Sequence, residues 1–524
     1  MEIFSLKNLS FTYNASDSPA LKDINLEIKK GEFLLLIGQS GCGKTTLLKM
    51  LKKELTPFGK SEGEIFFKRK KITDYNSMET ASKIGFIMQD VESQIVTDKV
   101  YSELAFGLEN IGYDKETIRA RVAEFANFFG LSYMFERKTD SLSGGEKQLL
   151  NLASVMVMNP EVIILDEPVS MIDPIFAEKF INSLKKINDE FGTTIIIAEH
   201  HLLDVFKFAD RVALLEDGKL TAVNSINEIY QSVRGKEIEK TLPVPVRIFN
   251  CFNLDGECPV TVKDAISFLN KNNIKSNYNS LNEIYRKEVI LSAKNLWFRY
   301  QKNSRDILKN FSVNVKKGEI YAVLGENGSG KSTLLNLLNG SLKPYRGKIK
   351  CASKVAYLPQ NPKNVFVKDN LEEDLKSINN SYLELLERFG LEKYVNTHPY
   401  DLSGGELQRA AIIKVLLTKP DIILLDEPTK GLDSFSKKEL GGFLKNLTEN
   451  GLTIILVTHD LEFAAEFSDR CGLLFDGEIT SERGAKSFFM NNIFFTTPAA
   501  KISCATGGSA VTADELISEL KEEK

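Results

Sequence analysis

Two short stretches carry residue types that bind phosphate groups. Residues 38–45 read GQSGCGKT and residues 325–332 read GENGSGKS, and both fit the pattern G-x-x-x-x-G-K-[ST]. Each follows a strand-like apolar run and precedes a helix-like run, which is the context that the pattern requires. The glycines let backbone N–H groups curl around phosphates, the lysine reaches the outer phosphates, and the hydroxyl holds Mg²⁺. The sequence therefore predicts two nucleotide-binding loops.

Two carboxylates end a buried apolar run in each half of the chain. The run IILDEP contains Asp166 and Glu167, and the run ILLDEP contains Asp426 and Glu427. A strand of leucine and β-branched residues has no structural reason to end in such a pair. Beside a phosphate loop, we expect the aspartates to face Mg²⁺ and the glutamates to polarise a water toward the γ-phosphate. A charged strand end that faces solvent is the alternative.

Two of the four histidines end strand-like runs. The run TTIIIAEH ends at His200 and the run LTIILVTH ends at His459, each at a similar distance after the Asp-Glu pair. A histidine at the end of a strand beside a triphosphate can donate a hydrogen bond to it. We therefore count both histidines among the candidate site residues.

These motifs occur twice because the chain is an internal duplication. Residues 6–13 and 21–32 match residues 293–300 and 308–319, and the phosphate loops and Asp-Glu runs follow in the same order. Strand-like runs alternate with helical patterns in both halves, which predicts a largely parallel α/β sheet in each. The predicted division is 1–225 for a first nucleotide-binding domain, 226–287 for its extension and linker, 288–482 for a second nucleotide-binding domain, and 483–524 for a C-terminal extension.

The composition argues against several classes of protein. The 524 residues carry a net charge of −4, so the chain has no overall attraction to nucleic acid or anionic lipid. Apolar runs such as FLLLI at 33–37 are far shorter than the roughly 18 residues that a membrane span needs. The N-terminus lacks the pattern of a signal peptide, and the six cysteines show no ligand-like pairing. We expect reduced thiols in a reducing compartment.

A third motif, LSGGE, occurs at 142–146 and again at 402–406. The chain contains two copies of a series of five motifs: the phosphate loop, a glutamine loop at Gln89 or Gln360, LSGGE, the Asp-Glu strand and the strand-end histidine. Both copies follow the order found in the ATP-binding cassette (ABC) ATPases. The sequence closely resembles this family over nearly its whole length. The resemblance implies an α/β fold with two tandem P-loop NTPase domains. Each domain would contain a RecA-like core, an antiparallel β subdomain and a helical subdomain that carries LSGGE as its signature.

The motifs and the resemblance together give the predicted site residues. The predicted catalytic residues are Glu167, Glu427, His200, His459, Gln89 and Gln360. The predicted metal ligands are Thr45, Gln89, Asp166, Ser332, Gln360 and Asp426. The predicted ATP-binding residues are Tyr13, Gly38, Ser40, Gly41, Gly43, Lys44, Thr45, Thr46, Ser143, Gly144, Gly145, Tyr300, Gly325, Asn327, Gly328, Gly330, Lys331, Ser332, Thr333, Ser403, Gly404 and Gly405.

The resemblance also implies a reason for two signatures. In ABC ATPases, two domains face head to tail, and each signature closes over the ATP that the other domain holds. The first signature would then meet the phosphates held by Lys331, and the second would meet those held by Lys44. The sequence departs from the family pattern in the glutamate that ends both signatures, where glutamine is commoner. The aspartate loops, SMID at 170–173 and KGLD at 430–433, also depart from it.

One stretch indicates what the ATPase drives. Residues 89–110, QDVESQIVTDKVYSELAFGLEN, closely resemble the ATPases of energy-coupling factor transporters, which import vitamins and metal ions. These ATPases have a second glutamine after the one in the glutamine loop. In this sequence it is Gln94, and the aligned residue of the second half is Val365. The resemblance implies ATP and Mg²⁺ as ligands, a membrane coupling subunit and a separate substrate-binding membrane subunit as partners, no nucleic acid, and a peripheral position at the cytoplasmic face of the membrane. The alternatives are the ATPase of another ABC importer and a tandem ABC ATPase outside transport.

Carboxylates also lie near both glutamine loops, at Glu92 and Glu103 in the first half and at Glu372 and Asp374 in the second. The family's membrane partners place short cytoplasmic helices with a basic residue beside these loops. We hypothesise that Glu103 and Asp374, which share one aligned position, pair with those basic residues. The alternative is that both lie on a solvated helix face.

Overall fold

The computed structural model describes residues 1–14, 16, 18–170, 172–200, 202–252, 256–276 and 288–521. The chain divides into two compact units, residues 1–264 and 265–524. The four-part division expected from the sequence stays a prediction, and its segment 226–287 includes residues 253–255 and 277–287, which lie outside the described ranges. No helix within those ranges is both long and apolar enough to cross a membrane.

The first unit contains two sheets. Its strands are β1 (Glu2–Tyr13), β2 (Leu21–Lys29), β3 (Phe33–Ile37), β4 (Gly59–Phe67), β5 (Lys70–Lys71), β6 (Ile84–Ile87), β7 (Val162–Asp166), β8 (Thr194–Ala198), β9 (Arg211–Glu216) and β10 (Lys219–Asn224). One sheet is antiparallel, in the order β2-β1-β4-β5. The other has the order β10-β9-β3-β8-β7-β6, and only β10 runs antiparallel to its neighbour.

The described part of the first half contains ten α-helices. They are α1 (Lys44–Met50), α2 (Ser77–Lys83), α3 (Val100–Ile111), α4 (Lys115–Phe128), α5 (Gly144–Met156), α6 (Pro174–Phe191), α7 (Leu202–Phe206), α8 (Ile226–Val233), α9 (Val244–Phe252) and α10 (Val262–Lys271). Helices α3, α4 and α5 pack on one another between β6 and β7. This helical group therefore interrupts the parallel sheet in sequence, and its last helix begins within LSGGE.

The second unit repeats this order of elements, without counterparts of β5 and α2 among its described residues. Its strands are β11 (Val289–Phe298), β12 (Leu308–Lys316), β13 (Ile320–Leu324), β14 (Arg346–Cys351), β15 (Val355–Leu358), β16 (Ile422–Asp426), β17 (Thr453–Thr458), β18 (Arg470–Phe475) and β19 (Glu478–Gly484). Its helices are α11 (Lys331–Leu338), α12 (Leu371–Lys376), α13 (Tyr382–Arg388), α14 (Gly404–Leu416), α15 (Ser434–Glu449), α16 (Leu461–Phe467), α17 (Ala485–Asn491), α18 (Pro498–Thr506) and α19 (Ala513–Lys521). The larger sheet has the order β15-β16-β17-β13-β18-β19, which matches the first unit read from the opposite edge.

The central strands explain why the site lies where it does. Strands β3, β7 and β8 read FLLLI, VIILD and TIIIA, and every residue in them is buried, as in parallel strands that are covered on both faces. The matching strands β13, β16 and β17 are equally buried. Because parallel strands share one carboxyl edge, each phosphate loop and each Asp-Glu pair meet at the same edge of the sheet.

The duplication extends further toward the C-terminus than the sequence comparison found. Three helices follow the last strand in each half, α8 to α10 and α17 to α19. Helices α10 and α19 begin with the same reciprocal cap: the backbone N–H of Asp264 donates to Thr261 Oγ1, and that of Glu515 donates to Thr512 Oγ1, both at 3.2 Å. Few sequence letters match in these segments, so the shared architecture is visible only in the structure.

A glutamate closes the turn before the first parallel strand in each unit, which explains why KKGE occurs twice. Glu319 is 1% exposed, and its Oε1 accepts the backbone N–H of Lys316 at 2.6 Å. The same oxygen lies 2.9 Å from NH2 of Arg470 at the start of β18. In the first unit, Glu32 accepts the N–H of Lys29 at 2.7 Å and pairs with Arg211 at 3.0 Å. The turn is therefore joined to the sheet by an ion pair.

We expect Glu319→Ala to lower the unfolding free energy of the second unit by about 1.5–3 kcal/mol, because it removes the buried acceptor of the Lys316 N–H and one of the two carboxylates that pair with Arg470. Trp297 is the chain's single tryptophan and lies in β11, so its fluorescence during urea denaturation reports this unit. The control is Glu439→Ala, which breaks the more exposed pair with Arg409 and should cost less than about 1 kcal/mol. Equal shifts for the two variants would contradict the structural role of Glu319.

Candidate nucleotide-binding and hydrolysis sites

Each phosphate loop wraps around its own lysine. In the first unit, Nζ of Lys44 donates to the carbonyl oxygens of Gly38 at 2.9 Å and Gln39 at 3.0 Å. In the second unit, Nζ of Lys331 donates to the carbonyl of Gly325 at 2.8 Å and to that of Glu326 at 3.0 Å. Both lysines are about 5–6% exposed, so each ammonium lies inside its loop. The two lysines and their loops define the first site and the second site.

The last glycine of each loop is required by its conformation. Gly43 precedes α1 with a φ of 106°, and Gly330 precedes α11 with a φ of 101°. A side chain at either position would also collide with a neighbour: a Cβ would lie 2.7 Å from the carbonyl oxygen of Ala20 in the first case and 2.8 Å from Ile307 in the second. Glycine is therefore the residue that lets the loop turn into the helix.

A loop hydroxyl approaches the strand-end aspartate in the first site. Thr45 Oγ1 donates to Asp166 Oδ1 at 3.1 Å, and burial raises the pKa of Asp166 above its ordinary value. In the second site, the hydroxyl of Tyr357 donates to Asp426 Oδ2 at 3.1 Å, and the loop hydroxyl of Ser332 also lies close enough to offset part of the rise that burial causes in the pKa of Asp426. Burial and the charge of Asp426 raise the pKa of Tyr357, so this phenol stays protonated as a donor. The corresponding residue of β6 is Phe86, which has no hydroxyl.

The predicted catalytic glutamate of the first site contacts two other predicted residues. Nε2 of Gln89 donates to Glu167 Oε2 at 2.9 Å, and Nε2 of His200 lies 2.9 Å from Glu167 Oε1. Three residues that are far apart in the sequence therefore converge beside the phosphate loop. The structure brings together the glutamine, the glutamate and the histidine that the family order suggests.

The second glutamate has a different set of neighbours. Its Oε2 lies 2.8 Å from His459 Nδ1 and accepts the backbone N–H of His459 at 3.3 Å, and Glu427 Oε1 lies 3.7 Å from Lys331 Nζ. Burial raises the pKa of Glu427, but the hydrogen bond and charge of His459 and the charge of Lys331 outweigh burial and hold this pKa below its ordinary value. Gln360 is exposed and makes no hydrogen bond to the described residues. The two sites therefore differ around their glutamates.

The remaining ATP-binding candidates line the mouths of the two loops. Tyr13 and Tyr300 contact the helix that follows each loop, through Thr46 at 2.9 Å and Thr333 at 3.2 Å. Each tyrosine packs edge-on against the phenylalanine two residues earlier, which orients its ring. The exposed members of the predicted set within the two loops are Ser40, Gly41, Thr45, Asn327, Gly328 and Ser332. All of these assignments stay predictions of nucleotide contact.

The signatures begin helices through reciprocal caps. The backbone N–H and the hydroxyl of Ser143 donate to Glu146 Oε2 at 2.8 and 2.9 Å, while Tyr133 and Arg137 donate to Glu146 Oε1 at 3.2 and 3.3 Å. Burial raises the pKa of Glu146, but these donors lower it below its ordinary value. Both carboxylate oxygens accept hydrogen bonds, and a glutamine would turn its NH₂ toward donors. This explains the glutamate that departs from the family pattern.

The second signature has the same cap. Ser403 donates from its backbone and hydroxyl to Glu406 Oε2 at 2.9 and 2.7 Å, and the hydroxyl of Tyr394 donates to the other oxygen of Glu406. Ser403 and Gly404 are exposed, as are the equivalent residues Ser143 and Gly144. The start of each signature helix is therefore accessible, whereas its glutamate is only partly exposed.

The second glutamine of the first loop has an internal role. Gln94 donates to the carbonyl of Phe86 at 2.8 Å and accepts the backbone N–H of Met88 at 3.0 Å. In the second unit, Pro359 occupies the position of Met88, and proline has no N–H to satisfy. The second unit therefore needs no acceptor at this position, and Val365 can stand there in place of the glutamine.

The hypothesis that Glu103 and Asp374 pair with basic residues of a partner is wrong. Glu103 is 5% exposed, and its Oε2 accepts the N–H groups of Val96 at 3.1 Å and Thr97 at 2.8 Å. Asp374 is 0% exposed and pairs with Lys414 at 2.6 Å. Both carboxylates hold the loop that precedes their helix. The sequence could not show this, because a carboxylate in the first turn of a helix gives the same sequence pattern whether it is buried or solvated.

Sequence reasoning also missed two residues beside the sites. No sequence motif singled out Tyr357, and Glu199 was included only as part of the run that ends at His200. The structure places Tyr357 against Asp426 and gives Glu199 two hydrogen bonds next to Glu167. Aligning the two halves position by position could have drawn attention to both residues, since Tyr357 aligns with Phe86 and Glu199 aligns with Thr458.

Comparison with known proteins identifies the family. The sequence model of the ABC transporter family matches residues 21–170 and 308–430, which contain both phosphate loops, both signatures and both Asp-Glu pairs. The chain belongs to the ABC transporter family of ATP-binding proteins. ABC ATPase domains bind ATP, and the expected fold class, α/β with two tandem P-loop NTPase domains, is confirmed.

Relatives of similar length share this organisation. A protein of Bacillus thuringiensis subsp. konkukian (strain 97-27), named "Putative ABC transporter ATP-binding protein", is 40% identical over 522 residues, or 94% of each chain. A protein of Methanosarcina mazei with the same name is 32% identical over 97% of this chain and 100% of its own. Among solved structures, the archaeal ribosome recycling factor aABCE1 matches 92% of this chain and 90% of its own with a TM-score of 0.61 and 22% identity. That structural likeness shows a shared fold alone.

We predict that Tyr357 orients the carboxylate of Asp426 for a divalent cation. Tyr357→Phe should weaken Mn²⁺ binding to the second site by about tenfold, because the lost hydrogen bond involves a charged group. Mn²⁺ binding can be measured by electron paramagnetic resonance with ATP present, in a Lys44→Ala background that disables the first phosphate loop. ATP binding in EDTA should not change. An unaltered Mn²⁺ affinity would contradict the orienting role of Tyr357.

Proposed function

We propose that the chain is the Mg²⁺-dependent ATP-hydrolysing subunit of a membrane transporter. The observation that carries the proposal is the grouping of lysine, aspartate, glutamate and histidine at one edge of the six-stranded sheet in each unit. Membership of the ABC family supports ATP hydrolysis. The names of the full-length relatives support a role in transport.

In this proposal, the two phosphate loops bind the triphosphates. Lys44 and Lys331 would exchange the loop carbonyls for the outer phosphates, because an anionic oxygen is a stronger partner for an ammonium than a neutral carbonyl. The backbone N–H groups of the loop and of the following helix would surround the other phosphate oxygens. Tyr13 and Tyr300 would stack on adenine at the mouth of each loop.

The residues present fit Mg²⁺, which prefers oxygen ligands. Asp426 Oδ1 is buried without a hydrogen-bond partner among the described residues, and burial raises the pKa of both strand-end aspartates. A cation beside these carboxylates would offset the cost of burying their charge. The proposed ligands are Thr45, Gln89 and Asp166 in the first site and Ser332, Gln360 and Asp426 in the second. When bound, Mg²⁺ would neutralise charge on the phosphate oxygens.

Hydrolysis would use Glu167 and Glu427 as bases. Each carboxylate would accept a proton from a water as the water oxygen bonds to the γ-phosphorus. The bond from that phosphorus to the bridging oxygen breaks, its electron pair stays on ADP, and the products are ADP and inorganic phosphate. His200 and His459 lie 2.9 and 2.8 Å from the glutamates, and each could also donate to the γ-phosphate.

The signatures would complete the sites. We propose that the first signature serves the nucleotide held by Lys331 and the second serves the one held by Lys44, as the family resemblance implies. Ser143 and Ser403 are exposed N-caps, and the first N–H groups of a helix attract anions. Their exposure supports a role outside their own helix.

An exposed valine marks the surface that we propose for the membrane partner. Val96 is 66% exposed and Val367 is 80% exposed, and the two valines occupy the same aligned position near the glutamine loops. The buried carboxylates of Glu103 and Asp374 accept the backbone N–H of these valines at 3.1 and 3.2 Å. An apolar side chain that is held in solvent by its own backbone is suited to contact a partner. We propose that these valine loops bind cytoplasmic helices of a membrane coupling subunit.

The resemblance of residues 89–110 supports an energy-coupling factor importer in particular. The transported vitamin or metal ion would then be bound by a separate membrane subunit, and this chain would lie at the cytoplasmic face of the membrane. The alternatives are another ABC importer and a tandem ABC ATPase that acts outside transport. Purification from detergent-solubilised membranes with mass spectrometry of the partners separates them. A coupling subunit with a small substrate-binding subunit would support the proposal, and a chain that purifies without any membrane protein would contradict it.

We predict that Glu167→Gln together with Glu427→Gln lowers steady-state ATP turnover by about 10² or more, the scale of a lost general base. ATP binding should persist, because neither glutamate belongs to the phosphate loops. Phosphate release and fluorescent-nucleotide binding measure the two properties separately. Near-normal turnover in the double variant would remove both residues from the role of base.

We predict that Val96→Asp together with Val367→Asp weakens binding to the membrane partner by at least about tenfold, because a charge would replace a buried apolar contact. Pull-down with the solubilised membrane subunits measures this, and ATPase activity of the isolated chain should be unchanged. The matched control is Phe58→Asp, since Phe58 is 92% exposed before β4 and far in sequence from the valine loops. Equal binding by the wild type, the double valine variant and the Phe58→Asp control would contradict the proposed surface.

A further inference from the structure

A buried lysine of the first signature helix has no part in the function proposed above. Lys147 lies in the first turn of α5, four residues after Ser143, and is 8% exposed. An ammonium at that depth needs an acceptor. Its Nζ donates to Oε1 of Glu92 at 2.5 Å, and Glu92 is its one hydrogen-bonding partner in the described part of the chain. The signature helix is thus joined to the segment that follows Gln89.

The position of Glu92 is linked to that of Gln89 by a compact turn. The backbone N–H of Glu92 donates to Asp90 Oδ1 at 3.1 Å, and the hydroxyl of Ser93 donates to the carbonyl of Asp90 at 2.8 Å. Because these two hydrogen bonds close the turn, a contact at Glu92 also restrains the residue that precedes Asp90. That residue is Gln89, whose amide donates to Glu167 at 2.9 Å.

The loop is also held on the other side of Gln89. The backbone N–H of Met88 donates to the side chain of Gln94 at 3.0 Å. The chain is therefore fixed immediately before Gln89 by Gln94, and three residues after it by Lys147. A side chain on a backbone that is held on both sides has less conformational freedom to lose when it meets its partner. The amide of Gln89 is thus aimed at the glutamate before any nucleotide is bound.

The second unit lacks this ion pair. The residues at the two aligned positions are Lys363 and Leu407, which cannot form one. The Nζ of Lys363 lies 5.2 Å from the centroid of the Tyr400 ring, and Leu407 packs in the apolar core. Gln360, the counterpart of Gln89, is exposed. The glutamine therefore contacts its glutamate in the unit that has the ion pair and faces solvent in the unit that does not.

The second signature helix holds its own loop at a different place. Lys414 lies in the last turn of α14, where its Nζ donates to the carbonyl of Val365 and pairs with Asp374 at 2.6 Å. Val365 is five residues beyond Gln360, and Asp374 belongs to the helix that follows the loop. This contact restrains the end of the loop and leaves the segment next to the glutamine without an equivalent of the first ion pair.

We propose that Lys147 and Glu92 are positioning residues of the first site, which hold Gln89 against Glu167 and join it to the signature helix. This inference rests on the proposed function, in which Gln89 acts in hydrolysis. The pair acts through the glutamine loop and includes no residue of the phosphate loop. Its removal should therefore release Gln89 and slow hydrolysis at the first site, while ATP binding is kept.

Hydrogen exchange in the full chain without nucleotide tests the restraint. Lys147→Met and Glu92→Gln each remove one charge of the pair. Peptides that cover residues 88–95 should then exchange at least about tenfold faster than in the wild type, because the loop opens more often. Peptides that cover residues 359–366 are the internal reference and should not change. Equal exchange of residues 88–95 in the wild type and both variants would overturn the inference.

Two further variants separate the ion pair from the loss of a single charge. Lys185→Met removes a lysine of the same unit that pairs with Asp189 at 2.7 Å, and it should leave the loop unchanged. Reversal of both charges, Lys147→Glu with Glu92→Lys, should recover most of the protection, because it restores the pair with opposite signs. Melting temperatures show whether each protein is folded. Equal loss of protection in the Lys185→Met control would overturn the inference.

A site-resolved measurement tests whether the restraint acts through Gln89. A photoreactive ATP analogue is trapped with vanadate after turnover, and mass spectrometry assigns the label to residues 1–264 or 265–524. Lys147→Met should lower the ratio of label in the first unit to label in the second by about fivefold, with ATP binding in EDTA unchanged. Gln89→Ala should lower the same ratio. Lys147→Met added to Gln89→Ala should cause no further loss, because both changes remove the same contact.

The outcomes distinguish this inference from the proposed function. Losses that multiply in the double variant of Lys147 and Gln89 would overturn the inference alone, and so would an unchanged label ratio in folded Lys147→Met. A wild-type chain without ATPase activity would overturn the proposed function and this inference with it.

Discussion

The position of both proposed catalytic glutamates depends on one backbone hydrogen bond at the carboxyl edge of the sheet. The N–H of Glu167 donates to the carbonyl of Ala198 at 2.9 Å, and that of Glu427 donates to the carbonyl of Val457 at 2.9 Å. Both glutamates have left-handed backbones, with φ values of 47° and 49°, which cost a non-glycine residue about 1–2 kcal/mol. Strand pairing sustains this turn, and the turn brings each glutamate to the side chain of its histidine. Without it, the chain would continue as a strand and the alternation of side chains would separate these groups.

A second constraint is shared by connecting segments in both units. Connecting segments leave backbone N–H groups without partners, and such groups are costly when they are buried. This protein satisfies several of them with buried carboxylates, including Glu32, Glu103, Glu199, Glu319 and Asp374. A buried carboxylate that accepts N–H groups is stable only while all its donors are present. These connecting segments are therefore held by hydrogen bonds to buried carboxylates as well as by apolar packing.

The sequence predicted the duplication, the α/β class and the grouping of motifs, because each depends on local patterns that repeat. Apolar strands ending in Asp-Glu, glycine loops before helices and strand-end histidines are readable from spacing alone. The tertiary environment of single polar residues was not readable. Glu103 and Asp374 look like solvated residues of a helix start, yet their neighbours in space remove them from solvent. Tyr357 looks like a core residue of a strand, and only the sheet register places its hydroxyl beside Asp426.

The loop after β6 and its counterpart after β15 also limit how the two halves can diverge. Met88 offers an N–H that Gln94 accepts, whereas Pro359 offers none and Val365 needs none to accept. A single substitution that changes only one member of a pair leaves either a backbone N–H without its acceptor or a Gln94 oxygen with only the longer contact from Asn151, at 3.5 Å. The two positions can therefore drift only as a pair, or through an intermediate that is less stable than either end state. Divergence between the duplicated halves therefore requires paired substitutions at these positions. Each half now carries one compatible pair, Met88 with Gln94 in the first and Pro359 with Val365 in the second.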